Sequence, residues 1–394
     1  MKKLSLLVFV MALVVAFALP AFAYTVEGAK GERFTIGGTA WFDMGYRNLN
    51  KDLNAGRELT KLFAVDSLNS NLNGNFTVGN TSFNWVLYVS SDLVYKDYSG
   101  VNSSYVNYRD LVGSDVWFGT YRFGNCMLQA GKMANAIGTF GTSQTLGYAP
   151  STGSHIASIG WGWTYDNKHP QLRFTQNISK QVGYHIALVN PGVAADVTGN
   201  SYATIPTIAA KLMLNFGAVS LYPAIGFQQL QFDNMPAGYD SSVTGWVARC
   251  PVQVVAGPFT GKFELLLGQN LGNGKGTSGW FVQNAYGTYQ RSATGKVQNG
   301  NTVSGFVDLG FQAGAVNPHV YFGITRDGNK DYYTVGDNSN TKSTIGVNAS
   351  IKVSPNFTVK PEVSFYDYGI KPGDAAKTKL GQEWLAGVSF YFSF

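Results

Sequence analysis

Charged side chains recur at alternating positions within otherwise apolar segments of this 394-residue chain. Lys262 and Glu264, for example, lie on either side of Phe263. A period of two places successive side chains on opposite faces of a β-strand. Because such charges are rarely buried in a dry core, the polar faces are expected to line a hydrated interior. The predicted lining residues are Arg122, Arg173, Lys211, Arg249, Lys262, Glu264, Asp308, Lys360 and Glu362.

The chemistry open to these side chains is electrostatic. Rings of Lys and Arg favour anions in pores, and the basic members of the set outnumber the acidic ones. Lys352 is a further inward base, and Asp43 and Asp92 are further inward acids. The set therefore predicts a weak preference for anions. The alternative is that the charges only neutralise one another.

Residues for covalent or metal chemistry are sparse. Four histidines are scattered without metal-ligand spacing, and no Ser/His/acid set stands in a recognisable motif. Asp327–Asp331 has the alternating oxygen ligands of a calcium loop, but Tyr332 replaces the required Gly, so a loop tip is the interpretation and ion binding stays open. We predict no enzyme activity, no cofactor and no metal site. Cys126 and Cys250 lie five strands apart and are predicted to be free thiols.

Composition favours a chain whose strands each turn one face to lipid. Only 13% of the residues are charged, whereas 14% are aromatic and 47 are Gly. Soluble domains carry roughly 25% charged residues. The formal net charge of +6 is mild, and no run of Lys and Arg marks a nucleic-acid surface.

The N-terminus has the three parts of an export signal. Lys2-Lys3 is its positive region, and residues 4–19 are its apolar run. Ala21-Phe22-Ala23 has the small-x-small pattern of a cleavage site. We predict a cleaved signal peptide over residues 1–23 and one transmembrane barrel domain over residues 24–394.

The last residues, Glu383 to Phe394, are the clearest alternating strand in the chain. One face is apolar up to the final position, and the other is mostly small or polar. This pattern suits lipid on one side of a sheet and water on the other. The apolar face ends in Phe390, Phe392 and Phe394.

Turn signals divide the chain into sixteen strands of an all-β, antiparallel barrel. Short turns are predicted near Gly79-Asn80, Gly124-Asn125, Ser179-Lys180, Gly217, Gly257-Pro258, Gly314-Ala315 and Pro355-Asn356. Longer connections alternate with them at about 48–60, 96–111, 133–168, 190–204, 233–242, 269–301, 327–341 and 369–381. Short turns at one end and long loops at the other are typical of bacterial outer-membrane barrels. The strand-like segment 280–289 is assigned to a hairpin in the sixth long loop, and eighteen strands are the alternative.

Two segments resemble the hairpin that precedes the inward-folded third loop of Gram-negative porins. They are residues 116–125, Val-Trp-Phe-Gly-Thr-Tyr-Arg-Phe-Gly-Asn, and residues 128–133, Leu-Gln-Ala-Gly-Lys-Met. The layout of the chain, with a signal, sixteen strands and a terminal Phe, resembles that family as well. By this resemblance the chain is identified as a porin of the sixteen-stranded, trimeric type.

The resemblance implies a water-filled channel for passive diffusion of small hydrophilic solutes. It also implies a homotrimer in the lipid and lipopolysaccharide of the outer membrane, with the C-terminal Phe read by the assembly machinery. The third long loop, residues 134–169, is then the constriction. It has no Asp or Glu before Asp166, unlike the acidic loop of many such porins, which argues against a strong transverse field.

A substrate-selective channel for phosphate, sugars or organic acids is the nearest alternative. It requires clustered bases or an aromatic track. Tyrosines in barrels more often form the interfacial girdle. An outer-membrane enzyme and a plugged adhesive barrel are alternatives of other classes. The candidates for an aromatic track are Tyr184, Tyr222, Tyr286, Tyr289 and Trp161.

Overall fold

The computed structural model of the chain is built of β-strands. No helix among its described residues is long and apolar enough to cross a membrane. The structure describes residues 24–29, 31–52, 56–66, 70–89, 112–134, 136–146, 148–149, 154–155, 162, 165–166, 168–190, 195–196, 199–202, 204–271, 280–281 and 287–394.

Sixteen antiparallel strands form one closed barrel, as the turn signals predict. Each strand pairs with its neighbour in sequence, and the last strand pairs with the first. The strands are β1 (Arg33–Leu49), β2 (Leu59–Asp66 and Asn71–Val78), β3 (Thr81–Val89), β4 (Val112–Phe123), β5 (Cys126–Ala134), β6 (Lys168–Asn177), β7 (Val182–Val189), β8 (Thr207–Asn215), β9 (Val219–Leu221 and Ala224–Phe232), β10 (Ser242–Ala256), β11 (Phe259–Gln269), β12 (Asn301–Phe311), β13 (Val316–Gly328), β14 (Ser339–Ser354), β15 (Phe357–Asp367) and β16 (Gln382–Ser393).

Tight turns join the strands at one end of the barrel. Val78 pairs with Thr81, and Phe123 pairs with Cys126, so each of these hairpins has a two-residue turn. The first turn residue in both is a glycine with a φ of 53°. Hairpin turns of two residues require positive φ, which glycine adopts without a steric penalty. These Gly-Asn pairs therefore fix the register of β2–β3 and β4–β5.

The two faces of the barrel wall differ as the alternation predicts. On the outer face Ile225, Leu265 and Val347 are not covered by other protein atoms and are 62%, 58% and 53% exposed. On the inner face Ser364 and Ser389 are fully covered. The exposed apolar side chains on every strand suit contact with acyl chains, because apolar surface is favourable in lipid and unfavourable in water.

The barrel closes where β1 meets β16. Their pairing runs from Leu49 opposite Glu383 to Thr39 opposite Ser393. The amide of Gly38 donates to the carbonyl of Phe394 at 2.8 Å, so the ladder continues to the last residue of the chain. The short strand Tyr24–Glu27 lies beyond it and pairs with the start of β1. The seam is thus hydrogen-bonded from Gly38 to Leu49 of β1.

Two loop details differ from the sequence expectation. The first loop is shorter than predicted, because β1 extends to Leu49 and β2 begins at Leu59. In the sixth long loop, Trp280–Phe281 pairs with Tyr165–Asp166 of the third loop. A separate hairpin pairs Gln290–Arg291 with Val297–Gln298. These extra strands belong to loops and leave the barrel count at sixteen.

Candidate functional site: an inner segment held against the barrel wall

The loop between β5 and β6 folds against the inner face of the barrel. Its residues 136–146, here called the inner segment, contact side chains from β7, β8, β11, β12 and β14–β16. The segment includes Gly138 and Gly141, which let a backbone approach a wall closely. The placement of these residues is the one expected of the third loop.

Positively charged side chains hold the carbonyls of this region. Each base lies on the inner wall and donates to a main-chain oxygen, which is a dipole and carries no net charge. The carbonyl dipoles therefore orient these positive charges on the wall. The contacts are Arg173 with Ala134, Lys211 with Gly138, Lys262 with Gly141 and Lys360 with Ser143.

The carboxylate of Glu362 on β15 holds the end of the inner segment by accepting hydrogen bonds from main-chain amides of the segment. The amide of Thr145 donates to Oε2 at 2.7 Å, and the amide of Leu146 donates to Oε1 at 3.0 Å. The hydroxyl of Thr145 adds a third bond at 3.0 Å. Tyr321 donates to Oε1 at 3.2 Å, and Glu362 is only 2% exposed. The carboxylate is thus surrounded by donors, which is what a buried charge requires.

Asp308 and Asn348 hold the segment at Ser143. The amide of Ser143 donates to Asp308, and Nδ2 of Asn348 donates to the carbonyl of Ser143 at 3.1 Å. Nδ1 of His319 lies 2.7 Å from the other oxygen of Asp308. Together with Lys360, these contacts fix both the main-chain donor and the main-chain acceptor of Ser143. The orientation of the backbone at Ser143 is therefore set by side chains of β12, β14 and β15.

Apolar contacts anchor the two ends of the inner segment. Ile137 packs in a buried cluster with small inward residues such as Ala187 and Ala209. Leu146 packs against Leu385 and Tyr366. Burying one side chain of this size contributes about 1.5–3 kcal/mol. The segment is thus fixed by apolar contacts at its ends and by polar contacts between them.

The charges that contact this region favour the positive sign. Four bases hold carbonyls, and two acids, Asp308 and Glu362, accept from main-chain amides. Four minus two leaves an excess of two positive charges. Asp43, which accepts from Nε1 of Trp41 at 2.7 Å, supplies a further carboxylate on β1. The balance is basic.

The predicted lining residues Arg249 and Glu264 pair with each other. Nη2 of Arg249 lies 2.6 Å from Oε2 of Glu264, and the two side chains are 1% and 0% exposed. Arg122 lies elsewhere, at the short-turn end of β4, and is exposed. The structure thus brings Lys211, Lys262, Asp308, Lys360 and Glu362 to the inner segment, places Arg173 at Ala134 just before it, and leaves the other three apart.

The inner face of β2–β4 is polar but carries few charges. Nδ2 of Asn75 donates to Oδ1 of Asn84 at 2.6 Å, and the hydroxyl of Thr77 donates to Oδ1 of Asn75 at 2.7 Å. Nδ2 of Asn73 donates to Oδ1 of Asn71 at 3.0 Å. Amides in such a row need hydrogen-bond partners on every side, which suits a wall that faces water.

The long loops contact one another at the other end of the barrel. Asp240 accepts from the amide of Val297 at 2.7 Å and from Nζ of Lys296 at 3.0 Å. These two hydrogen bonds hold the pKa of the Asp240 carboxyl below its usual range. Nη1 of Arg291 donates to the carbonyl of Asp240 at 2.9 Å. The loop after β9 is thereby tied to the loop before β12.

The proposed aromatic track is not assembled among the described residues. Tyr184 pairs across the strands with Leu212, which faces outward, and Tyr289 is buried beside Phe232 in the loop cluster. Tyr222 makes an edge contact with Phe140 of the inner segment, with ring centroids 6.0 Å apart. Trp161, Tyr286 and the predicted inward Asp92 lie outside the described residues.

Several site residues escape the sequence reasoning. Tyr321, Asn348 and Tyr366 share the inward face with predicted residues, so parity alone could have included them. The apolar patch under Ile137 has a sequence signal too, because Leu265-Leu266-Leu267 breaks the alternation of β11. Leu266 is the fully buried, inward member of that triplet.

Comparison with solved structures finds the fold of this chain among outer-membrane proteins. The outer membrane channel DcaP of Acinetobacter baumannii matches 94% of this chain and 99% of its own, with a TM-score of 0.67 and 13% identity. The anion-selective porin from Comamonas acidovorans matches 92% of this chain and 100% of its own, with a TM-score of 0.58 and 9% identity. OmpT of Vibrio cholerae in its trimer form matches 92% of this chain and 99% of its own, with a TM-score of 0.53 and 9% identity. The fold is that of the porins.

Sequence comparison adds nothing to this assignment. No protein-family model and no curated protein matches the chain. At 9–13% identity the structural likeness shows the fold, and the residues that bind the inner segment are read from this chain alone.

Proposed function

We propose that the chain is an outer-membrane channel through which small hydrophilic solutes diffuse passively, with a preference for anions. The observation that carries the proposal is the polar inner wall of a closed sixteen-stranded barrel. Barrels of sixteen to eighteen strands enclose an aqueous channel, whereas an eight-stranded barrel is filled by its own side chains.

The passage runs between the inner segment and the amide-rich face of β2–β4. The contacts of the inner segment place it along β7, β8, β11, β12 and β14–β16. The remaining side of the wall carries Asn71, Asn73, Asn75 and Asn84. A solute in this passage meets hydrogen-bonding groups on one side and anchored positive charges on the other.

Anion preference follows from the way in which the bases are held. Lys211 and Lys262 both donate to main-chain carbonyls of the inner segment. A carbonyl dipole orients an ammonium group and leaves its net charge in place. A lumen with an excess of fixed positive charge concentrates anions and repels cations.

Reversal potentials in a salt gradient test this preference. In planar bilayers with potassium chloride at two concentrations, the reversal potential of the wild-type channel is expected to have the sign of chloride permeation. The double variant Lys211→Gln and Lys262→Gln is expected to move the potential toward zero, because two positive charges of the inner wall are lost. Lys296→Gln in the exposed loops is the matched control and should leave it unchanged. Cation selectivity of the wild-type channel contradicts the proposal.

The proposal includes an outer-membrane location and a homotrimer in contact with lipid and lipopolysaccharide. The exposed apolar outer face supports insertion into lipid, and a trimer form is recorded for OmpT of Vibrio cholerae. Phe390, Phe392 and Phe394 are proposed as the signal for the assembly machinery. We propose no enzymatic role and no cofactor.

Removal of residues 1–23 is also proposed, with the barrel domain then spanning residues 24–394. It is supported by the sequence alone, in which Lys2-Lys3, the apolar residues 4–19 and Ala21-Phe22-Ala23 form the pattern of an export signal. The intact mass of the membrane-extracted protein is expected to match a chain that starts at Tyr24. A mass that includes residues 1–23 contradicts this.

A further inference from the structure

A polar recess lies on the inner wall at the short-turn end of β2–β5. Its volume is about 380 Å³, and its walls are almost entirely amide, hydroxyl and guanidinium groups with one aromatic side chain, Phe118. Binding pockets for small molecules commonly have volumes of about 300–1,000 Å³. The lining groups used below are Asn75, Ser82, Asn84, Thr120, Arg122 and Gln129.

The recess has one sign of charge. Arg122 is its single charged residue, and no carboxylate lines it. Among the described residues no hydrogen bond or ion pair occupies the guanidinium of Arg122, although its main-chain amide donates to Asn80 at 2.9 Å. The bases at the inner segment, in contrast, already hold carbonyls. The recess therefore presents an uncommitted planar donor with five N–H groups.

The neighbouring groups suit hydroxyls. Ser82 pairs across the strands with Thr120, which in turn pairs with Gln129, so the three polar side chains form one row across β3, β4 and β5. Amide and hydroxyl side chains both donate and accept, which matches the hydrogen bonding of a sugar hydroxyl. Phe118 offers an apolar surface beside this row.

From this geometry we propose that the recess is a binding subsite for a hydroxylated organic anion of the sugar-acid class. The carboxylate takes the fork of Arg122, because planar bidentate pairing with a carboxylate suits a guanidinium. The hydroxyls take the row from Ser82 to Gln129 and the amide of Asn84. The inference rests on the proposed channel function and assigns it a favoured substrate class.

Blocking of the channel current tests this inference. With the wild-type channel in planar bilayers, sodium gluconate is expected to reduce the potassium chloride current with a saturating concentration dependence. Glucose lacks the carboxylate and acetate lacks the hydroxyls, so both are expected to block more weakly. Arg122→Gln should raise the half-blocking concentration of gluconate by about tenfold, the loss expected when a hydrogen bond to a charged group is removed.

Two controls separate the subsite from general electrostatics. Lys352→Gln removes another exposed base near the short-turn end, outside the recess, and should leave the gluconate block unchanged. Thr120→Val should weaken the block by gluconate and leave the block by acetate unchanged.

A wild-type channel that conducts without a saturable gluconate block overturns the subsite alone, as does equal gluconate block in the wild type and Arg122→Gln. A wild-type protein without conductance overturns the proposed function as well.

Discussion

Replacing Glu362 by alanine is expected to raise the single-channel conductance and to admit larger solutes. Glu362 accepts three hydrogen bonds from Thr145 and Leu146, and each bond to a charged acceptor contributes about 1.5–3 kcal/mol. Without the carboxylate these main-chain donors lose their partner. The end of the inner segment is then held less tightly to β15, by Lys360 and Tyr366 alone, and the passage widens.

The change also alters the charge balance of the lumen. The inner segment loses one of the two acids that contact it, so the fixed excess of positive charge increases. Chloride selectivity is therefore expected to rise together with conductance, because Lys360 stays on β15. Single-channel recordings in a salt gradient measure both quantities on the same molecules.

Glu383→Gln is the matched control for this experiment. Glu383 is also a fully buried, inward carboxylate, but it lies on β16 and pairs with Arg47 and not with the inner segment. Its replacement should leave the conductance and the solute cut-off near the wild-type values. An unchanged cut-off in Glu362→Ala, with the protein folded, contradicts the role assigned to Glu362.

The second large effect is expected at the seam of the barrel. Nε of Arg47 on β1 lies 2.7 Å from Oε1 of Glu383 on β16, and the side chains are 4% and 0% exposed. Tyr368 donates to Oε2 of Glu383 at 2.9 Å. Removing one partner of a buried ion pair costs about 3–5 kcal/mol, because the other charge is left without compensation. Arg47→Ala should therefore lower the unfolding temperature of the barrel.

Heat-dependent migration of the purified protein on detergent gels measures this effect. The double variant Arg47→Met and Glu383→Met is expected to recover most of the loss, since well-packed apolar residues can replace a buried pair. Lys296→Ala breaks the exposed ion pair with Asp240 and should leave the unfolding temperature unchanged. Equal unfolding temperatures for the wild type and Arg47→Ala contradict a stabilising seam.

The strands were predictable because apolar and polar residues alternate along each one, matching lipid on its outer face and water on its inner face. Alternation in β15 and β16, together with turn signals such as Gly79-Asn80, determines which residues face lipid and how many strands there are. These are local properties, set by the pleat and by turn geometry. The sixteen-strand barrel and the inward side of Lys262 and Glu362 could therefore be predicted from the residues.

Pairing within the interior was not predictable in the same way. Arg249 and Glu264 meet because β10 and β11 have one particular register, in which Arg249 lies opposite Leu266. The contacts of the inner segment involve main-chain groups at positions such as Gly138 and Ser143, whose side chains leave no periodic signal. A contact between a side chain and a distant peptide group depends on the whole barrel being closed, and no local pattern encodes it.

Osmotic swelling of proteoliposomes tests the central claim, a water-filled passage through the barrel, most directly. Vesicles that contain the purified protein are diluted into isotonic solutions of neutral sugars of graded size. We predict rapid swelling with small sugars and a rate that falls steeply as the sugar grows, as expected of a narrowed aqueous channel. Vesicles that contain folded protein and do not swell in any of these sugars would contradict the account.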